Sequence, residues 1–308
     1  MTDKHRLVTR SDFDGLVCGV LLRELDMIDD ILFVHPKDMQ DGKVPVTDRD
    51  ITTNLPYVPG VHLAFDHHLS ETIRVDQTDN FIIDPDAKSA ARVVYDHFGG
   101  AATFPNVGED MLAAVDRADS ADYTLEDILH PQGWTMVNFM MDPRTGLGRF
   151  RNFPISNYQL MMNLIEACRT MDIDGVLTIP DVQDRVNLYY EQQTLFNEQL
   201  KRVSTVRENV VTVDYRGGEV IHAGNRFMVY ALYPETNVSV HAIWGKQKRN
   251  VAFAVGKSII NRTCNTNIGT LMLAFGGGGH ANAGTCQIPH EDANEVQKIL
   301  VDELVSNG

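Results

Sequence analysis

Acidic clusters at a few places in this sequence have the composition of divalent-cation sites. In Ser11-Asp12-Phe13-Asp14-Gly15, alternating aspartates let two carboxylates leave one turn in a common direction, and Gly15 lets the backbone bend tightly; an aspartate here also suits a helix N-cap. In Asp66-His67-His68, a carboxylate and two adjacent imidazoles are natural metal ligands or phosphate donors and are costly to leave unpaired. Asp48 is a lone carboxylate that a turn would equally explain. Asp116-Arg117-Ala118-Asp119 closes a predicted helix over Met111 to Val115, where the dipole disfavours a carboxylate and asks for a compensating cation. Gly276 to Gly279, followed by His280-Ala281-Asn282-Ala283-Gly284, exposes backbone N–H groups; with a helix after it, the run would form an anion-binding nest.

The elements that must hold these groups alternate. Arg6 to Thr9 reads as a strand, then Leu16, Val17, Val20, Leu21 and Leu25 recur at helical spacing. Ile31 to Val34, Val44 to Thr47, Val61 to Phe65 and Phe81 to Ile83 read as further strands, with a helix from about Ser89 to Phe98. This β-α-β alternation predicts a parallel sheet covered by helices, and ligands of such sheets gather at the carboxyl ends of the strands. Each of the first three acidic clusters directly follows a predicted strand. From about Val107 to Leu200 the chain reads as helical, ending in a long helix over Asp184 to Val203 that could bridge two domains. Beyond it the pattern turns β-rich: Asn209 to Asp214, Phe227 to Leu232, Val238 to Trp244 and Val251 to Val255, then a helix over about Asp292 to Val305. The expected fold is α/β, a parallel-sheet domain over residues 1–185, a linker helix over 186–206 and a smaller α/β domain over 207–308.

Composition narrows the function. The net charge of −15 excludes broad, nonspecific binding to duplex nucleic acid, which needs a basic face. A cation site, however, carries its own excess of carboxylates, and bound ions reverse the local field. From Arg207 onward, nine Lys/Arg balance nine Asp/Glu, so the excess acid lies in the first domain. No apolar run approaches the ~20 residues of a membrane span and the first residues lack a signal-peptide core, so the expectation is a cytoplasmic protein. Cys18, Cys168, Cys264 and Cys286 have no paired spacing and are expected reduced and buried.

The ordered series Asp-x-Asp-Gly, Asp, Asp-His-His, Asp and Gly-Gly-Gly-His-x-x-Ala-Gly, spanning Thr9 to Gly284, resembles the DHH/DHHA1 phosphoesterases. That family includes RecJ exonucleases, oligoribonucleases that also act on pAp, and cyclic-dinucleotide phosphodiesterases. The resemblance implies hydrolysis of small phosphate esters, such as short oligonucleotides, pAp or cyclic dinucleotides, by metal-activated water. Two Mn2+ ions are implied, with Mg2+ or Co2+ as substitutes; Asp12, Asp14, Asp48, His67 and Asp116 become the ligands, Asp48 bridging both ions. His68, Asp66 and Arg10 fall in the catalytic group. Gly277, Gly278, Gly279, His280, Lys257 and Arg226 fall on the substrate. The partner is a small phosphorylated molecule or a short single strand, with no duplex DNA and no membrane; a homodimer is an open expectation.

Two positions depart from the pattern. The family usually has a ligating His two residues before the first Asp, where this chain has Arg10, which cannot give up its proton to ligate. A weaker second ion, replacement by His35, or a phosphate contact by Arg10 with one metal are the readings this leaves. Lys257 stands where the family often has Arg, and it binds phosphate as a point charge rather than a fork. Exopolyphosphatase is the alternative reaction, with Arg226, Lys246, Lys248, Arg249, Lys257 and Arg262 as its basic track. A catalytically weakened nucleotide-binding regulator is the non-enzyme alternative, resting on Arg10.

Overall fold

Leu7, Val8 and Thr9 of β1 (His5–Arg10) are wholly buried, so this strand takes the centre of a layer covered on both faces. The computed structural model describes residues 4–218 and 220–308. Around β1 assemble β2 (Ile28–Val34), β3 (Asp50–Thr53), β4 (Leu63–Asp66) and β5 (Phe81–Ile83), in the order β2-β1-β3-β4-β5. Every pairing is parallel, as the alternation predicts. Helix Phe13–Glu24 contributes Leu16, Val17, Val20 and Leu21, all fully buried, and Ala90–His97 adds Ala90, Val93 and Val94.

The third strand corrects the sequence reading. Val44 to Thr47 is not a strand; Pro45 within it has no N–H to give to a ladder. The strand is Asp50-Ile51-Thr52-Thr53, buried at every residue despite its polarity. Its polar groups are satisfied inside the layer: Asp50 accepts from Arg6 Nε and Thr47 N, each at 2.7 Å, and Thr53 Oγ1 donates to Thr9 Oγ1 at 2.7 Å. The shift matters because the strand now ends at Thr53, so Asn54 follows it and Asp48 precedes it.

The chain divides into two units. The first runs to Asp122 and resumes at Pro131–Leu188; the second takes Tyr123–His130 and Tyr189–Gly308. The expected long helix is Pro180–Val203. In the second unit, β6 (Ser204–Arg207), β7 (Val210–Asp214), β8 (Val238–Trp244), β9 (Asn250–Lys257), β10 (Gly278–His280) and β11 (Ala283–Pro289) form one sheet, in the order β10-β11-β9-β8-β7-β6. Val240, Phe253 and Val255 face Ile268, Met272 and Leu300 in its core.

Two further expectations are corrected here. Phe227 to Leu232 is not a strand, and Met228–Leu232 is a short helix. β7 and β8 are parallel, so the chain between them must cross over rather than pair, and this helix lies in the crossover. The glycine run does not open a helix either. Gly278 to His280 pairs antiparallel with β11, and a Cβ on Gly277 would sit 2.0 Å from Thr285 O. Glycine is required there by the close approach of backbone in a hairpin, not by an anion nest.

Among the described residues, no helix is long and apolar enough to cross a membrane.

Candidate metal centre

The carboxyl ends of β1, β3 and β4 deliver Arg10, Asn54 and Asp66 to one edge of the first sheet. Beyond β1 the chain turns within two residues, Asp12 N donating to Arg10 O at 3.0 Å, and enters helix Phe13–Glu24 with Asp12 as N-cap. Gly15 is obligatory in this turn, because a Cβ there would lie 2.0 Å from Arg10 O. Asp14, 2% exposed, accepts from Ala90 N (3.0 Å) and Ala91 N (2.7 Å), the N-terminus of helix Ala90–His97. The Asp12 side chain takes a different set of donors: Gly15 N at 3.0 Å, the Asn54 amide at 3.3 and 3.4 Å, and Arg10 Nε at 2.9 Å.

Asp66-His67-His68 follows β4. Asp66 is 1% exposed; its Oδ1 accepts from His67 N at 2.9 Å and pairs with His68 Nδ1 at 2.8 Å, which fixes the His68 ring. His67 Nδ1 lies 3.2 Å from Ala87 O, so that nitrogen carries a proton and Nε2 is the ligating one. His67 Nε2 meets Asp119 Oδ2 at 2.9 Å. Donor atoms of Asp14, His67 and Asp119 all lie within 4.8 Å of one another, as do those of Asp66, His67 and His68.

The electrostatics follow from crowding acids in a dry place. Burial and the nearby Asp119 charge push the Asp14 carboxyl up to about 7, and burial raises Asp12 against the pull of Arg10. Burial disfavours a charged His67, but its pairing with the Asp119 carboxylate and the charges of Asp14 and Asp119 win and raise it to about 9. Burial also opposes ionisation of Asp119, yet its bond to His67 holds that carboxyl below its usual value. His68 is raised chiefly by its hydrogen bond to Asp66. His67 is thus biased toward its charged form beside the carboxylates of Asp14 and Asp119. That is where a cation is wanted.

The residues fit a divalent ion. Asp66 Oδ2 is buried with no hydrogen-bond partner, an arrangement that costs free energy unless something positive meets it. Carboxylate oxygens with one imidazole suit Mn2+ or Mg2+.

Of the residues anticipated from sequence, Arg10, Asp12, Asp14, Asp66, His67 and His68 are brought together. Asp48 is not: it precedes β3, at the opposite edge of the sheet from Asn54, and its charge reaches His62 instead. Asp116 is engaged elsewhere, accepting from Ser89 Oγ (2.7 Å) and from Arg92 Nε (3.0 Å) and Nη2 (2.7 Å). Asp119, one helical turn further along Glu109–Asp119, meets His67 in its place. His35 caps the helix Pro36–Gln40, accepting from Lys37 N, and does not substitute for the missing imidazole. Sequence reasoning missed Asn54 and Arg144. Arg144 is gripped by Asp142 (2.7 and 3.1 Å) and lies within the fields of Asp12 and Asp119. In the second unit, the ladder sets Gly256 opposite Ala283, and Lys257 N donates to Asn282 O at 2.9 Å, so Lys257 lies at the hairpin end that carries His280. Arg226 stacks on Phe227, 4.2 Å from the ring centre.

Among solved structures, the pGpG-specific phosphodiesterase PggH of Vibrio cholerae is 56% identical, covering 99% of this chain and 100% of its own, with a TM-score of 0.88. The chain belongs to the DHH family of phosphoesterases. Manganese-bound RecJ of Thermus thermophilus shares the DHH fold at 14% identity and a TM-score of 0.52, over 93% of this chain and 50% of RecJ. The magnesium-bound RecJ gives 14% and 0.51, over 99% of this chain and 50% of RecJ. No family model and no curated protein matches the chain. The DHH signature here is Asp66-His67-His68, at the end of β4, with the parallel sheet beneath it and the mixed sheet in the second unit.

Proposed function

We propose that this chain is a divalent-metal-dependent phosphodiesterase that hydrolyses pGpG and similarly short linear oligonucleotides. The observation that carries the substrate is identity of 56% over the whole length of a pGpG-specific phosphodiesterase. The chemistry is supported by the cluster of Asp14, His67 and Asp119, which would hold the ion, with the unpartnered Asp66 Oδ2 beside it on the Asp66-His67-His68 segment.

When bound there, a divalent ion would supply a water of lowered pKa and would neutralise phosphoryl charge. The chain's own groups do the rest. His67 is oriented through Nδ1 on Ala87 O, and Asp14 is fixed by two backbone N–H groups, so the donor set is rigid before anything binds. His68, held by Asp66 and biased toward its charged form, donates to phosphoryl oxygens as negative charge builds on them. Lys257 and His280, at one end of the second sheet, are assigned to substrate contacts. Manganese is the preferred ion in this reading, and the buried free thiols Cys18, Cys168, Cys264 and Cys286 suit a reducing cytoplasm.

The test is hydrolysis by the purified protein of pGpG, pAp, a cyclic dinucleotide and polyphosphate, with Mn2+, with Mg2+, and after chelation. The expected result is metal-dependent cleavage of pGpG far above the other substrates. Turnover that survives chelation, or preference for polyphosphate, would overturn the assignment.

A further inference from the structure

The DHH resemblance implies two ions, and each must find acceptors. Asp12 has none to give. A carboxylate offers about four lone-pair directions, and on Asp12 these are met by Gly15 N, by Asn54 Nδ2 on both oxygens, and by Arg10 Nε. Position 54 makes the same point from the other side. It directly follows β3 and lies beside β4, Asn54 N donating to Phe65 O at 3.1 Å, on the same carboxyl edge of the sheet as Arg10 and Asp66. A bridging ligand presents an acceptor to each ion, whereas an amide presents one acceptor and one donor. Asn54 turns its donor to Asp12 and keeps Oδ1 buried with no partner. Arg10, in turn, brings a permanent positive charge to the Asp12 side and cannot ligate.

We infer that this chain binds one divalent ion, and that the guanidinium of Arg10, fixed by Asp12 and reinforced by Arg144, replaces a second ion as the cation that grips a substrate phosphate. Arg10 spends Nε on Asp12 and keeps a side-chain exposure of 35%, so its terminal nitrogens face incoming phosphoryl oxygens. Arg144, half exposed and anchored by Asp142, adds charge on the same side. Asn54 completes the arrangement, its amide holding Asp12 in place for the arginine.

This inference rests on the proposed metal site, and the experiment separates the two. Mn2+ is titrated into the metal-free wild-type chain and into the Arg10→His, Asn54→Asp double variant, with bound ion counted by elemental analysis and followed by electron paramagnetic resonance. Wild type should saturate at one ion per chain with the hyperfine-resolved spectrum of isolated ions. The double variant should take two, with the broadened signal of a coupled pair. Two ions on wild type overturn the inference, and so does a folded double variant that still takes one. No ion on either protein would instead sink the proposed function. The wild-type count decides the matter even if the double variant fails to fold. Arg10→Gln should keep its one ion and raise KM for pGpG at least tenfold; unchanged KM removes the arginine from the substrate.

Discussion

Mn2+ should bind the metal-free protein about tenfold more tightly for each unit of pH between about 7 and about 8, because the ion must displace the proton held on His67. That proton is retained up to about 9 by Asp119 at 2.9 Å and by the charge of Asp14. At neutral pH, two units below, expelling it costs about 3 kcal/mol, or roughly a hundredfold in affinity, at 1.36 kcal/mol per unit. Below about 7 the Asp14 carboxyl also takes up a proton, so the slope steepens toward acid. Calorimetric titration at constant ionic strength, in two buffers of different ionisation enthalpy, gives affinity and protons released together. An affinity flat across this range, with no proton released, would refute the placement of the ion on His67.

The same shift has a consequence for stability. His67 is raised in the folded state, so its contribution is complete below the unfolded value of about 6.5 and is lost as pH rises through about 9. The Tm of the metal-free protein should therefore fall over that interval, and added Mn2+ should restore it most at the alkaline end. Asp48→Ala should leave hydrolysis and bound metal unchanged, while Asp119→Asn should lower metal affinity at least tenfold; the reverse pattern would put the ion at the wrong end of β3. Asp116→Ala should keep the ion but cost about 2–3 kcal/mol in denaturant unfolding, because Arg92 loses its two-pronged partner. Gly277→Ala should destabilise the second sheet, its Cβ meeting Thr285 O, and a Tm within error of wild type would show that the hairpin can yield.

Much of this was legible in the sequence where apolar runs were long. β1, β2, β4 and β5 are strands buried against helices, and period and turn residues locate them. β3 escaped because its burial is achieved with threonines and an ion-paired aspartate, polarity that only neighbouring strands can satisfy. That one slip made Asp48, and not Asn54, the residue read at the strand's carboxyl end. Asp119 lay within the cluster that sequence singled out, but helical phase chose it over Asp116, and the choice depends on Arg92, 24 residues away from Asp116. Arg144 reaches the site through tertiary structure alone, and no local pattern marks it. Phe227 to Leu232 has strand-like composition, and the parallel pairing of β7 with β8 overrides it.

Cys18 lies on the first helix with no exposed surface, its Sγ 3.9 Å from Asp14 Oδ1, and burial raises its thiol well above the ordinary value. A thiol so placed is inert to alkylating reagents while the Asp12–Gly15 turn is closed, since the reactive thiolate neither forms nor meets solvent. Its labelling rate therefore counts excursions in which the turn comes away from the sheet. The chain carries a built-in clock for the opening of its own metal site, readable by mass spectrometry of the alkylated protein, and slowed by whatever ion holds that turn shut.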